Sequence, residues 1–154
     1  MGQPSPALVA AVNEQAAARG IDPAMLLAVI GYETGGTYDT EIWGGRNNNY
    51  FGLIQFGPSE RATYGVREGM TPAAQVTAAL NFLEDRGFRP GMTLLEMYST
   101  INAGNPHPRN FEKSDGNGTV RGHAARIERE YLPAAQRATG SVAAVTQQGS
   151  RGQN

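Results

Sequence analysis

Apolar residues recur at helical spacing along most of the chain, and each run is bracketed by a local start and stop. Leu8, Val9, Val12 and Ala16 form the first stripe; Ser5-Pro6 opens it with a capping hydroxyl and a first-turn proline, and Gly20 ends it. Asp22-Pro23 repeats that opening. Met25, Leu26, Val29 and Ile30 carry the second helix, and Gly35-Gly36 close it, which leaves Glu33 in its last turn. Pro58 opens a short helix near Ser59–Tyr64. Thr71-Pro72 heads a helix through Val76, Leu80 and Leu83 that Gly87 stops. Thr93-Leu94-Leu95-Glu96 has capping-box spacing, so a helix starts there and runs towards Asn102, with Gly104 and Pro106 ending it. A last helix begins near Thr119 or Val120, passes Ala124, Ile127 and Tyr131, and meets Pro133.

Two stretches break this rhythm. Residues 37–57 hold glycines, aromatics and Asn47, Asn48 and Asn49, a residue type that tolerates left-handed turns. Within them Tyr50-Phe51-Gly52-Leu53-Ile54-Gln55-Phe56 is strand-like in composition, predicting a long loop that leads into a short hairpin or extended segment. Residues 105–118 read as loop. From about residue 139 periodicity is absent and Gly, Ser, Gln and Arg dominate, so residues 1–138 read as one domain and 139–154 as a flexible tail. Six helical patterns and one extended segment predict a mainly α fold with a small β element.

Composition narrows the chemistry more than the fold. The chain has 154 residues, 40% of them hydrophobic, enough for one core. With no cysteine, disulfides, thiolate metal sites and cysteine nucleophiles are excluded. A net charge of -1 gives no whole-chain attraction to nucleic acid. The charge is uneven: residues 1–104 carry six Lys/Arg against ten Asp/Glu, and residues 105–154 seven against four. That basic end is a solvated helix face or a patch for an acidic polymer. No apolar run is long enough to insert in a membrane, and the N-terminus has no signal-peptide pattern.

Glu33 is the residue with the clearest chemical promise. Its neighbours Ile30, Gly31, Tyr32, Thr34, Gly35 and Gly36 are uncharged, and the end of a helix favours the protonated carboxyl. A neutral carboxylic acid is what proton donation to a glycosidic oxygen requires. An exposed glutamate at a helix end is the ordinary alternative.

Three short strings then occur in order: Tyr32-Glu33-Thr34-Gly35-Gly36, Gly52-Leu53-Ile54-Gln55 and Asn102-Ala103-Gly104. Together they resemble the soluble lytic transglycosylase family of the lysozyme superfamily, in its phage-encoded form, over roughly residues 20–133. The resemblance implies a lysozyme-like α domain with a short β-hairpin or extended segment beside the active-site cleft. It implies Glu33 as the acid/base, Thr34 in the place of a serine near the glutamate, Gly52 and Gln55 in the segment along the glycan, and Asn102 beside the groove. For Gln55 and Asn102, capping or loop hydrogen bonding is the alternative.

The sequence also departs from that pattern. Extra loop surrounds Trp43–Asn49. Ile101 replaces a tyrosine, for which Tyr98 one turn earlier is a substitute. His123 aligns with a family tyrosine near the acid, or is a surface histidine. Trp43, Tyr50 and Phe51 either stack on sugars or pack in the hairpin.

The implied reaction is cleavage of the MurNAc–GlcNAc β-1,4 bond of peptidoglycan with closure of a 1,6-anhydro ring, for which no second carboxylate is needed. The rival is hydrolysis, with Asp39 or Glu41 as the second carboxylate. A non-catalytic glycan-binding or structural virion module is a third reading. The implied partners are glycan strands and other virion or tail proteins; the implied setting is the bacterial cell wall or periplasm, reached from a phage virion or at lysis. No cofactor and no metal are expected. Asp115-Gly116-Asn117-Gly118-Thr119 begins like a calcium loop but has Val120 at the required glycine and Arg126 at the closing glutamate. His107 and His123 are too few for zinc, no phosphate-binding Gly-rich loop is present, and Ser59 has no triad partners.

Overall fold

A computed structural model describes residues 2–140. Seven α-helices appear among them: α1 Pro6–Ala18, α2 Pro23–Glu33, α3 Pro58–Tyr64, α4 Pro72–Asp85, α5 Leu94–Ala103, α6 Val120–Glu130 and α7 Leu132–Thr139. The only sheet among the described residues is the antiparallel pair β1 Trp43–Gly44 and β2 Tyr50–Phe51, with Trp43 opposite Phe51 and Gly44 opposite Tyr50. The protein is therefore mainly α with a small β element.

Most starts are made by the polar residues the sequence places there. Ser5 accepts from the Leu8 N–H, Asp22 from Ala24, Thr71 from Ala74 and Thr119 from Gly122, while Thr93 and Glu96 form a reciprocal capping box. The last helix breaks where expected, but the chain stays helical. Tyr131 leaves the helical path and Pro133 occupies the first turn of α7, a position that needs no N–H. Helix α7 runs through Thr139, with Gly140 as its left-handed cap, one residue past the expected domain limit. The tail expected from 139 lies outside the described residues from 141 onward.

Helix α2 is the axis of the molecule. Ala24 and every residue from Leu26 to Gly31 are buried, so it is apolar all round and needs cover on every side. Helices α1, α6 and α7 supply that cover; α4 packs on α1, and α5 on α6. Gly31 allows the closest approach, since a Cβ there would lie 2.7 Å from the Tyr38 hydroxyl and 2.8 Å from the Tyr131 ring. The last turn of α2 is thus pressed between these two tyrosines.

The segment Tyr50–Phe56 is not one strand. Phe51 and Phe56 are bridged to each other, and Gly52–Gln55 between them is a turn with positive φ at Gly52 (82°) and Gln55 (57°). Phe51, Leu53, Ile54 and Phe56 are all buried. A strand sends adjacent side chains to opposite faces, so it could not bury Leu53 and Ile54 on one side. Ahead of it, Asn47 and Asn48 adopt the left-handed conformation. No helix of the described residues is long and apolar enough to cross a membrane.

Candidate active site

Glu33 ends α2 and faces a groove of about 540 Å³ whose wall includes Tyr50, Gln55, Ile101, Asn102 and Asp115. The residue is partly open to that groove while its carboxyl is closely surrounded by protein. No hydrogen bond to the carboxyl occurs among the described residues. Burial without a partner raises its pKa from 4.5 to about 8, with the negative charge of Asp115 adding to the effect. At neutral pH the group is a carboxylic acid.

Asp115 is held in the opposite sense. It sits in a tight loop closed by the Ser114–Thr119 bridge, immediately before α6. Its Oδ1 accepts from the Asn117 N–H at 2.8 Å, and its two oxygens lie 3.2 and 3.0 Å from His123 Nε2. The Asn117 amide first, then His123, pull its pKa below the usual carboxylate value, with a smaller contribution from the Asn102 side chain. The groove thus contains one carboxyl kept neutral and one kept charged.

His123 links Asp115 to Tyr32 on α2. Its Nδ1 is 2.6 Å from the Tyr32 hydroxyl, and Tyr32 immediately precedes Glu33 on α2. With a neutral ring and an ionised Asp115, Nε2–H donates to the carboxylate and Nδ1 accepts from Tyr32. The rings of Tyr32, Tyr98 and His123 pack mutually, with centroids 5.7 to 5.8 Å apart. Tyr98 is buried; desolvation first, then the charge of Glu33, raise the pKa of its phenol, which accepts from Asn102 Nδ2 at 3.3 Å.

The central groove continues both ways. Asp115 and Asn117 also border a hollow of about 740 Å³ lined by Tyr98, His123 and Arg126. Tyr50, Ile54, Gln55, Ile101 and Asn102 also border one of about 280 Å³ that reaches Glu60, Phe82 and Arg86. Glu33 lies midway along a trough that suits a linear polymer better than a compact ligand.

The structure distributes the expected site residues unevenly. Tyr50, Gln55, Asn102, Tyr98 and His123 all line this trough with Glu33. The Gln55 amide donates to the Gly52 carbonyl at 2.9 Å, which leaves its Oε1 as the acceptor. Thr34 does not reach the groove. It is buried, its hydroxyl donates to the Ile30 carbonyl at 2.8 Å, and it accepts from the Tyr38 N–H at 2.9 Å. It fixes the end of α2 and so aims Glu33 indirectly. Gly52 does not border the groove either: a Cβ there would collide with Gln75 Oε1 from α4, so the glycine makes room for a protein side chain.

Of the three loop aromatics, only Tyr50 borders the trough, 41% exposed; Phe51 is core. Trp43, 39% exposed, packs at a tilt against Phe51 and donates to Glu68. Asp39 and Glu41 lie outside it, Asp39 accepting from the Glu41 N–H and Glu41 from the Gly69 N–H.

Sequence reasoning missed two residues that matter. Asp115 was visible only as the head of a failed calcium loop; the available signal was an Asx-turn run directly before the N-cap of the helix that carries His123. Gln75, wholly buried, accepts from the Leu53 N–H at 2.6 Å and donates to the Thr40 carbonyl at 3.0 Å, pinning the turn that holds Gln55. Nothing local marks it. Comparison with models of known protein families, with curated proteins and with solved structures gives no match to this chain.

Proposed function

We propose that this protein is a lysozyme-like enzyme that cleaves β-1,4 glycosidic bonds in the glycan strands of bacterial peptidoglycan, with Glu33 as its general acid. One observation carries the reading: an unpartnered carboxyl, its pKa raised by burial to about 8, stands midway along a trough bordered by amides, a tyrosine and a charged aspartate. The acid donates its proton to the bridging oxygen as the bond from that oxygen to the anomeric carbon breaks. Positive charge then develops on the sugar ring, where the ionised Asp115 opposes it. The glutamate at the end of the second helix, with a hairpin beside it, supports the likeness to the soluble lytic transglycosylases. The reading extends to a cell-wall setting reached from a virion or at lysis, alongside other virion or tail proteins.

The resemblance implies an anhydro-forming outcome, which needs no second carboxylate; hydrolysis, its rival, uses one. The charged Asp115 on the same groove as Glu33 supports the hydrolytic rival, with this residue in place of Asp39 or Glu41. The decisive experiment is digestion of purified peptidoglycan by the wild type and by Glu33→Gln, with soluble fragments identified by mass. The wild type releases muropeptides and the variant loses at least about 10³-fold. A Glu33→Gln protein that clears the wall as fast as wild type would remove Glu33 as the acid, and a wild type that releases no fragments would return the protein to the class of glycan-binding or structural modules.

A further inference from the structure

Glu33 and Asp115 border the same central groove, and their settings differ in kind. Glu33 has no hydrogen-bond partner among the described residues, whereas Asp115 is fixed by the Asn117 amide and by His123. His123 is in turn anchored by Tyr32, so the residue beside the acid also orients the second carboxylate. Asn102 and Asn117 border the groove next to Asp115 and give this stretch the polar partners a bound water needs.

Resting on the glycan-cleaving reading, we propose that Asp115 is the catalytic base of a hydrolysis, drawing a proton from a water molecule that attacks the anomeric carbon while Glu33 protonates the leaving oxygen. The bond between the anomeric carbon and the bridging oxygen breaks, and a bond to the water oxygen forms. One water proton passes to Asp115, and the Glu33 proton leaves on the released hydroxyl. Turnover ends with Asp115 protonated and Glu33 ionised, and exchange with solvent resets both. A direct displacement of this kind inverts the anomeric centre. His123 and Tyr32 are positioning residues that hold Asp115 ionised and aimed.

The test uses the whole chain on purified peptidoglycan and on chitin-type oligosaccharides. Mass analysis shows free reducing ends in place of anhydro-sugar, and proton NMR at early times shows the α-anomer first. Asp115→Asn keeps the wild-type melting temperature and changes KM less than about three-fold, while kcat falls about 10³-fold. Azide added to Asp115→Ala restores turnover at least about ten-fold and yields an α-glycosyl azide. Anhydro ends, an initial β-anomer, or an Asp115→Asn enzyme within ten-fold of wild type would overturn the assignment while leaving Glu33 as the acid. Absence of any cleavage by the wild type would overturn the glycan-cleaving reading along with it.

Discussion

Glu33 imposes an energetic cost that the rest of the molecule offsets. Its folded pKa of about 8 lies above the ordinary 4.5, so between those values the folded protein keeps a proton that the unfolded chain has released. Stability therefore falls as pH rises through that window and levels off above it. At about 1.4 kcal/mol per unit the ceiling is roughly 5 kcal/mol. Because the residue still faces the groove, we expect Glu33→Gln to recover about 2 kcal/mol at pH 8.5 and almost nothing at pH 4. Thermal melts of both proteins at the two values check this. Removing the neighbouring charge has its own signature: Asp115→Asn lowers the Glu33 pKa, read directly from carboxyl carbon shifts in an NMR titration. An unchanged titration would mean that the two groups do not sense each other. That Glu33 has uncharged sequence neighbours was legible in the chain. That a charge 82 positions later faces it was not, because the chain path between them is set by packing.

The elements divide by whether their signals are local. Helix openings such as Thr93–Glu96 depend on groups three residues apart, so sequence alone reveals them, and Thr93→Ala is expected to cost about 1 kcal/mol in urea unfolding. The turn at Gly52–Gln55 depends instead on Gln75, 22 residues from the Leu53 amide it serves. Gln75→Leu keeps the volume but leaves a buried N–H and a carbonyl unpaired, a loss of about 2 kcal/mol. Because that turn carries Gln55, the proposed glycan-cleaving activity should fall as well. A variant with full stability would show that the turn holds itself. Helix α7 escaped detection for a simpler reason: Pro133 both ends one helix and begins the next, and the sequence shows the first function more plainly than the second.

At the scale of the molecule, the site is a trough assembled from pieces far apart in sequence: the end of α2, the turn after β2, α5 and the loop before α6. Under the proposed glycan-cleaving function, a trough continuing on both sides of Glu33 would gain binding energy from sugars distant from the cleaved bond, with part of that energy expressed in the transition state. The value of kcat/KM should therefore rise at least about ten-fold from a disaccharide to a hexasaccharide, with kcat taking part in the rise. Equal rates on both substrates would confine recognition to the two sugars at the bond. The sequence by itself determined the helical class, six of the helix starts or stripes, and the acid at the end of α2, because capping and 3.6-residue periodicity act over a single turn. Only tertiary structure decided that Thr34 and Gly52 serve the scaffold, that His123 reaches Tyr32 across 91 positions, and that Asp115 stands charged beside a neutral Glu33. Contacts of that range exist only once α2 has been enclosed by its neighbours, and the order in which apolar faces find cover is a property of the whole chain.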